Sequence, residues 1–302
     1  MSTLLDMEKE MKAFEEREEK EESGQRGEHK KTSPAAPAQR KSAIIVGASS
    51  GIGRETALKL SAKGYKVYNI SRTPFKGERV KSLTADAAQE GEIEKAVKEA
   101  CEELGSLDLI IYSAGFSMSA PLEYAKSGDY RYLFEVNYFG AIEAIRAAAP
   151  YLKKRSGRAV LVGSLGGDMP IPFDGFYSSS KAALAMLARE ADMELRPHGV
   201  RVSALLPGGT ATDFTYSRRI YGEEESKGYT SSVKKASAAL ANMEQGGMTS
   251  SLVADAIIRL AEKRNPPPVS VAGGKNTFLR YVYKMLPERV TDYFVRKKFN
   301  QR

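Results

Sequence analysis

Short apolar runs alternate with helical patterns along most of the chain. Each run is unbroken, as is typical of a parallel strand that is covered on both faces. A turn and then apolar residues at helical spacing follow most of them, including a long predicted helix over residues 130–152. This alternation predicts one doubly wound α/β domain. The seven predicted strands cover residues 43–46, 67–70, 83–87, 107–112, 159–164, 200–206 and 269–271.

The first 40 residues differ in composition from the rest of the chain. A charged run at residues 15–22 has no apolar stripe, and residues 23–37 are rich in Gly, Ser, Pro and Ala. This composition predicts a disordered tail over residues 1–40 without a catalytic role. The alternative is a short partner-docking helix whose apolar face is formed by Leu4, Met7, Met11 and Phe14.

Composition argues against several classes of protein. No apolar run is long enough to cross a bilayer, and the charged N-terminus is unlike a secretory signal. The single cysteine, Cys101, fits a reducing compartment, so we expect a cytoplasmic protein. With only His29 and His198 beside it, a zinc site has too few ligands, and we expect no metal. No zinc-finger or RNA-recognition motif is present, so nucleic acid is not an expected partner.

The net charge of +8 is unevenly distributed. Residues 1–40 hold eight basic and ten acidic residues, so the rest of the chain carries +10, and residues 275–302 alone contribute +6. In this last segment bulky apolar residues alternate with Arg and Lys, which predicts a basic amphipathic helical extension interrupted at Pro287. Two interpretations stay open. Either the extension docks on its own subunit or on a dimer mate, or residues 276–302 bind an anionic membrane surface and make the protein membrane-peripheral.

A glycine-rich turn directly follows the first predicted strand and opens a helix. In this context a glycine pattern indicates a dinucleotide site, because the turn and the helix N-terminus present backbone N–H groups to the phosphates. The alternative is a glycine turn of purely structural use. The residues expected to surround the pyrophosphate are Gly47, Ser49, Ser50, Gly51, Ile52 and Gly53.

The end of the second predicted strand indicates which dinucleotide binds. An NAD site usually places a carboxylate here to hold the ribose 2′-hydroxyl, whereas this chain has Ser71 and Arg72. A guanidinium pairs well with a 2′-phosphate, so we expect NADP(H) rather than NAD(H). The alternative for Arg72 is an ordinary surface arginine. Asp86, at the end of the third predicted strand, is placed to meet the adenine amine.

Tyr177 and Lys181 lie four residues apart and therefore on one face of a helix. An ammonium at that distance favours the phenolate, so we expect Lys181 to lower the pKa of Tyr177 and fit it for proton transfer. The pair is a weak signal alone, because the spacing occurs by chance and Tyr177 then simply packs the helix. Ser164, at the end of the fifth predicted strand, adds a hydroxyl at the edge where such sheets bind ligands.

Taken together, these motifs resemble the classical short-chain dehydrogenases/reductases over residues 41–274. The segment 163–181 is most similar to the branch of 17β-hydroxysteroid and retinol dehydrogenases. The resemblance implies a Rossmann-type sheet in a single domain, 41–274, between the tail and the extension 275–302. The matching residues beyond the three glycines are Asp86, Ser113, Ala114, Gly115, Asn137, Ser164, Tyr177, Lys181, Pro207, Gly208 and Thr212.

Two positions depart from the family pattern. Val46 stands where the family usually has Thr before the first glycine, and Ser113 stands where it usually has Asn. Both changes reduce hydrogen bonding near the glycine turn. Neither removes a proton-transfer residue, so we expect lower rigidity rather than loss of activity.

The resemblance also implies a role for each site residue. Tyr177 would be the general acid in reduction, and Lys181 would bind the nicotinamide ribose. Ser164 would hydrogen-bond the substrate oxygen, and Asn137 would hold a water that links Lys181 to solvent. The remaining cofactor contacts would come from Ser113, Ala114, Gly115, Pro207, Gly208, Thr210 and Thr212.

Residues 213–248 lie where this family places its substrate lid. They include Phe214, Tyr216, Ile220, Tyr221, Tyr229 and Met243. Apolar and aromatic residues on a mobile cover favour a hydrophobic substrate, but the same residues would also serve only to pack the lid on the body. The loop 166–176 is expected to line the opposite wall.

The sequence thus predicts an NADP(H)-dependent oxidoreductase that interconverts a ketone or aldehyde and an alcohol on an apolar, steroid- or lipid-like molecule. A reductase of 3-oxoacyl or 3-ketosphinganine-type lipids is one alternative. A catalytically idle NADP-binding protein that recruits partners is an alternative of another class. The family commonly forms homodimers or homotetramers, which we expect here as well.

Overall fold

The computed structural model describes residues 40–77, 79–299 and 301 of the protein. The predicted tail, apart from Arg40, and the alternative docking helix within it lie outside the described residues. From Arg40 onward the chain forms one compact unit.

A seven-stranded parallel sheet forms the centre of the described chain. In space the strands lie in the order β7-β6-β5-β4-β1-β2-β3, and each neighbouring pair is parallel. The order reverses between β1 and β4, where open sheets of this kind leave a crevice at their carboxyl edge. The predicted doubly wound, Rossmann-type sheet is confirmed. Its strands are β1 (Ser42–Val46), β2 (Lys66–Ile70), β3 (Val80–Leu83), β4 (Leu109–Tyr112), β5 (Arg158–Val162), β6 (Arg201–Leu206) and β7 (Val269–Val271).

Helices cover both faces of this sheet. Successive residues of β1 point to opposite faces, so Ile44 packs with α2, α4 and α5 while Ile45 packs with α1 and α8. The described α-helices are α1 (Gly51–Ala62), α2 (Glu92–Leu104), α3 (Ser127–Phe134), α4 (Gly140–Lys153), α5 (Gly175–Leu195), α6 (Glu223–Ser226), α7 (Thr230–Gln245), α8 (Ser250–Glu262), α9 (Gly274–Met285) and α10 (Glu288–Lys298).

The third strand ends earlier than predicted. It was expected to run to residue 87, but β3 ends at Leu83. The reason is its position at the sheet edge: its single neighbour, β2, ends at Ile70 and leaves the later residues without a strand to pair with. Ala85 packs into the core instead, and Asp86 lies beyond the strand end.

The predicted long helix over residues 130–152 contains a change in helical pitch. Helix α3 continues through a π-helical turn, Glu135–Phe139, into α4. Asn137 lies within this turn and is fully buried. A π-turn shifts the side chains that follow it, and such turns are frequent at functional sites.

Asp192 fixes the far end of α5, the helix that carries Tyr177 and Lys181. Its carboxylate is buried and accepts hydrogen bonds from the backbone N–H of Val202 at 2.9 Å and from Arg201 Nε at 3.0 Å. Both donors belong to β6, so a charged contact ties the helix to the sheet. Removing one partner of such a buried pair would leave an uncompensated charge. The contact between α5 and β6 is therefore costly to break.

Two helices follow the last strand, as predicted, and Pro287 separates α9 from α10. Pro287 occupies the N-cap of α10, where a missing N–H costs nothing. None of the described helices is both long enough and apolar enough to span a bilayer.

Candidate active site

A cavity of about 1170 Å³ lies at the carboxyl edge of the sheet. Its wall contains every site residue predicted from the sequence except Gly53 and Asn137, which lie just behind it. Residues spread from Gly47 to Thr212 are therefore brought to a single site. The strand order explains this, because all seven parallel strands end at this edge.

The glycine turn after β1 requires glycines for conformation and for space. Gly47 and Gly51 have φ of +90° and +53°, in the region that side chains rarely adopt. A Cβ at Gly47 would lie 2.6 Å from the backbone nitrogen of Ala114, and one at Gly53 would collide with the carbonyl oxygen of Gly47. The turn therefore presents bare backbone at the N-terminus of α1, which suits a pyrophosphate.

Asn69 holds this turn in place, and sequence analysis missed it. Its Oδ1 accepts the N–H of Ala48 at 3.0 Å, and its Nδ2 donates to Ser71 Oγ at 2.9 Å. Asn69 is fully buried in β2. Val46 lacks the hydroxyl that the family usually has before this turn, and lower rigidity is expected for that reason. The Asn69 amide supplies a hydrogen bond to the turn that this expectation does not include. The signal was available, since an amide inside an otherwise apolar strand needs a partner.

The end of the cavity beside β2 fits a phosphorylated ribose. Arg72 is exposed there and donates to the hydroxyl of Tyr132 at 3.1 Å, which orients the guanidinium over the site. Ser71 lines the same wall. Asp86 accepts the N–H of Ala88 at 3.0 Å, so its carboxylate closes a local turn in the cavity wall. The residues present thus fit an NADP-type dinucleotide.

Ser164, Tyr177 and Lys181 lie together in the wall of the same cavity. Ser164 Oγ accepts the N–H of Gly166 at 3.0 Å, and Lys181 Nζ donates to the carbonyl oxygen of Val162 at 2.9 Å. The Lys181 ammonium lies 5.8 Å from the centre of the Tyr177 ring. A Cβ at Gly167 would come within 2.8 Å of the Lys181 backbone, so the loop after Ser164 presses directly on α5.

The expected lowering of the Tyr177 pKa is wrong for this arrangement. Burial of the ring raises the pKa of Tyr177 well above its usual value, and the hydrogen bond with Ser164 opposes this only in part. Loss of hydration thus outweighs the Ser164 hydrogen bond and the Arg218 charge, which both favour the phenolate. Burial also lowers the pKa of Lys181, to about 8. At neutral pH Tyr177 is therefore protonated and Lys181 still mostly charged.

Asn137 connects three segments of the site from behind. Its Oδ1 accepts the N–H of Phe116, and its Nδ2 donates to the carbonyl oxygen of Phe116 and to Ser180 Oγ, all at 3.0 Å. A Cβ at Gly115 would lie 3.0 Å from the Asn137 oxygen and 3.4 Å from Lys181 Nζ. The amide thus fixes the loop after β4 against α5.

Comparison with known proteins identifies the family. A family model described as short chain dehydrogenase matches residues 41–220. The chain belongs to this family. The resemblance inferred from the motifs is therefore confirmed, and the protein is an oxidoreductase.

The names of several curated relatives of this dehydrogenase describe enzymes of lipids or steroids. A 3-ketodihydrosphingosine reductase from Bacteroides thetaiotaomicron is 32% identical over 74% of this chain and 84% of its own length. An NADPH-dependent 1-acyldihydroxyacetone phosphate reductase from Saccharomyces cerevisiae is 35% identical over 59% of this chain and 64% of its own. The human 11-beta-hydroxysteroid dehydrogenase type 2 is 34% identical over 59% and 47%, respectively.

Solved structures share the fold. A short-chain dehydrogenase from Streptomyces avermitilis has a TM-score of 0.71 at 23% identity and covers 83% of this chain and 94% of its own. A short chain dehydrogenase from Burkholderia cenocepacia, solved in complex with NADP, has a TM-score of 0.69 at 23% identity and covers 85% and 98%. At 23% identity these structures show that the fold is shared and nothing more.

The lid residues of the dehydrogenase divide into two groups. Phe214 and Met243 line the cavity, and the Phe214 ring centre lies 5.7 Å from that of Tyr177. Tyr221 is instead buried away from the cavity, where its hydroxyl donates to Asp129 at 2.6 Å. Some of these residues therefore line the cavity and others pack the segment on the body, and the role of the segment as a substrate lid stays a prediction. On the opposite wall the expected loop contributes Gly166, Met169, Pro170, Ile171 and Asp174.

A buried polar cluster beside Tyr177 was not predicted. Asp174, just before α5, accepts the Ser117 hydroxyl at 2.6 Å, and Arg218 Nε donates to the same hydroxyl oxygen at 3.1 Å. Arg218 also forms an ion pair with Glu244. Burial raises the pKa of Asp174 to about 7, although the Ser117 hydrogen bond and the Arg218 charge oppose the rise. No residue spacing in the sequence predicts this cluster, because its members lie on separate structural elements.

The C-terminal extension contacts its own chain beside the site. Arg280 forms an ion pair with Asp168, and Lys284 Nζ lies 3.5 Å from the same carboxylate. Phe299 is buried with Leu240 of the lid helix α7. Leu279, Val282, Leu286, Phe294 and Val295 complete the apolar part of the cavity wall.

We expect the raised pKa of Asp174 to make stability depend on pH. Between the unfolded pKa near 4 and the folded pKa of about 7, the native state binds more protons than the unfolded state, so this carboxyl contributes less stability as the pH rises. The Asp174→Asn variant lacks this titration but keeps an acceptor for Ser117. Relative to wild type, its free energy of unfolding should increase by about 2 kcal/mol from pH 5 to pH 8.

Denaturant unfolding at several pH values measures this difference. The exposed carboxylate Asp213, which also lines the cavity, provides the matched control. The same measurement on Asp213→Asn controls for the removal of one carboxylate from the cavity wall. A constant difference for Asp174→Asn would show that Asp174 does not titrate in this window.

Proposed function

We propose that the protein is an NADP(H)-dependent reductase that converts a ketone of an apolar, lipid-like substrate into an alcohol. The observation that carries this proposal is one continuous cavity. Its polar end holds the glycine turn, Arg72 and the Ser164, Tyr177 and Lys181 side chains, and its apolar end is formed by the lid and the C-terminal helices. A nicotinamide and a hydrophobic carbonyl compound would thus meet beside Tyr177.

The side chains at the meeting point suit reduction. NADPH, when bound, supplies the hydride. The Tyr177 hydroxyl is protonated at neutral pH, because its ordinary pKa of about 10 is raised further by burial. The protonated form is the one that donates a proton to a carbonyl oxygen. The Ser164 hydroxyl orients and stabilises that oxygen as charge develops on it. Lys181, still mostly charged, holds the ribose and favours the phenolate that Tyr177 leaves behind.

The assignment of NADP(H) is supported by charge and by the relatives. No acidic side chain follows β2, whereas Arg72 and Ser71 do. The yeast relative is NADPH-dependent by name, and the Burkholderia cenocepacia structure contains NADP. The proposal also includes a water held by Asn137, which would link Lys181 to solvent and resupply protons. It includes the other cofactor contacts that the family resemblance implies.

Among substrates, long-chain keto lipids are favoured. The names of the first two relatives describe reductases of 3-ketodihydrosphingosine and of 1-acyldihydroxyacetone phosphate, which are both lipid ketones. A steroid is the second candidate, favoured by the human relative and by the aromatic pair of Phe214 and Tyr177. The complete set of Ser164, Tyr177 and Lys181 argues against an idle NADP-binding protein.

The outer face of the C-terminal helices supports contact with a membrane surface. Phe278, Tyr281 and Met285 of α9 are 69%, 64% and 67% exposed. They lie on one face at spacings of three and four residues, and the extension carries an excess of basic charge. Because the inner face of the same helix lines the cavity, a lipid would have a short path from the bilayer to Tyr177. A homodimer or homotetramer is proposed only because members of the family commonly form them.

Tyr177→Phe tests the proton donor. We expect NADPH oxidation with a long-chain ketone to fall by roughly a hundred- to ten-thousand-fold in kcat, because the general acid is lost. NADPH binding should remain within a few-fold of wild type. Tyr216→Phe, which removes an exposed lid hydroxyl, is the control and should retain activity. Undiminished turnover by Tyr177→Phe would remove Tyr177 from the mechanism.

Arg72→Ala tests the cofactor assignment. Loss of a charge-assisted contact to the 2′-phosphate should weaken NADPH binding by about ten- to a hundred-fold and leave NADH binding nearly unchanged. Fluorescence titration of both cofactors measures this. Arg79→Ala, an exposed arginine outside the cavity wall, serves as the control. Equal losses for NADPH and NADH would contradict the assignment.

Replacing Phe278, Tyr281 and Met285 together by Ser tests the membrane surface. We expect the full-length protein to sediment with liposomes that contain anionic lipid, less so at high salt, and the triple variant to stay in the supernatant. The matched control replaces three apolar residues that are exposed elsewhere: Leu122, Met186 and Met193. Absence of sedimentation by the wild-type protein, or an equal loss in the control, would reject the surface.

A further inference from the structure

Arg218 is a buried cation behind the wall of the cavity, and its side chain is 1% exposed. Its guanidinium forms an ion pair with Glu244 of α7 and donates through Nε to the Ser117 hydroxyl at 3.1 Å. Glu244 also accepts the Thr215 hydroxyl at 2.7 Å. Taking both charges out of water is costly, so a buried pair of this kind is weak evidence for a role in stability. Its position in the molecule suggests another role.

The ion pair lies where two segments of the site are joined. The backbone N–H of Arg219 donates to the Ser117 carbonyl oxygen, and that of Tyr221 donates to the Ser119 carbonyl oxygen, both at 3.0 Å. The segment that follows the cofactor wall is thereby paired with the loop after β4. The Arg218 side chain adds a hydrogen bond to the same Ser117, so it fixes this junction from within.

Tyr177 packs against this junction. Its ring contacts a hydrophobic cluster that contains Met118 and Tyr221, one residue from each of the two joined segments. Phe214, four residues before Arg218, has its ring centre 5.7 Å from that of Tyr177. A residue that fixes the junction therefore also fixes the surroundings of the tyrosine.

The two charges of the pair act on Tyr177 and Asp174 with opposite signs. Burial is the main cause of the raised pKa of both groups. The Arg218 charge lowers the pKa of each of them, and the Glu244 charge raises it. The other polar groups close to the Tyr177 ring or its hydroxyl are Ser164, Asp174 and Lys181.

We propose that Arg218 is a positioning residue for proton transfer by Tyr177. Through Ser117 and Glu244 it fixes the segment that carries Phe214, and its charge stabilises the phenolate that forms as the proton leaves. Glu244 holds the guanidinium in place and offsets part of its charge. The inference rests on the proposed function, in which Tyr177 donates the proton, and extends it to a residue outside the cavity wall.

The titration of Asp174 reports the charges of this pair without any turnover. NMR of protein that contains carboxyl-labelled aspartate measures the midpoint, and the Asp174 signal is the one that Asp174→Asn lacks. From a wild-type value of about 7, we expect the midpoint to rise by about one pH unit in Arg218→Met and to fall by about one in Glu244→Gln. The double variant, which lacks both charges, should stay close to wild type.

Turnover measures the effect on Tyr177. With dodecan-3-one and NADPH at about pH 8, where Asp174 is mostly ionised, kcat should fall by about three- to ten-fold in Arg218→Met, because the phenolate loses a favourable charge. In Glu244→Gln it should equal or exceed the wild-type value. The KM for NADPH should stay within a few-fold of wild type in both variants. An ion pair with a merely structural role would lower kcat in both alike.

Arg219→Met is the matched control, because this adjacent arginine lines the cavity and pairs with Asp129 at 2.7 Å. It should leave the Asp174 midpoint unchanged. Thermal melting checks that each variant is folded. If Arg218→Met does not fold, the difference between Glu244→Gln and the double variant gives the effect of the Arg218 charge on both the midpoint and kcat.

Midpoints that move in the same direction in the two single variants, or that do not move, would overturn the inference. Equal losses of kcat in the two variants would overturn it as well, and neither result touches the reductase proposal. If the wild-type protein does not reduce dodecan-3-one while the midpoints move as expected, the charge arrangement stands and the reductase proposal alone fails.

Discussion

The side-chain amide of Asn137 is the contact on which the geometry of the site depends. It lies in the π-turn between α3 and α4, is fully buried, and hydrogen-bonds both the backbone of Phe116 and the hydroxyl of Ser180. Ser180 in turn donates to the Tyr177 carbonyl oxygen at 2.7 Å. One amide thus sets the loop after β4, which faces the cofactor, against the helix that carries Tyr177 and Lys181. Because every polar atom of this amide is used, the arrangement has little freedom.

Loss of hydration dominates the electrostatics around Tyr177. Burial raises the pKa of Tyr177, lowers that of Lys181 to about 8 and raises that of Asp174 to about 7, each toward the neutral form of the group. In the proposed function, the protonated tyrosine would give its proton to a carbonyl oxygen.

The apolar half of the cavity joins three parts of the chain that have different roles. The lid supplies Phe214 and Met243, the loop after β5 supplies Ile171, and the C-terminal helices close the end. The ion pair of Arg280 with Asp168 attaches the extension to the loop that begins at Ser164. The proposed lipid-like substrate, membrane contact and proton donor are consistent with one another in this arrangement, because a long apolar chain needs a dry wall from the entrance to the reaction centre.

The sequence by itself determined the doubly wound sheet, the glycine turn and the identities of Ser164, Tyr177 and Lys181. These features depend on local spacing: apolar runs make parallel strands, and glycines are required where backbone approaches backbone. Tertiary structure alone decided the direction of the Tyr177 pKa, since burial depends on what the rest of the chain places around the ring. It also decided the cluster of Asp174 with Ser117, Arg218 and Glu244. These four residues are far apart in sequence, and only tertiary packing brings their polar groups within hydrogen-bonding distance.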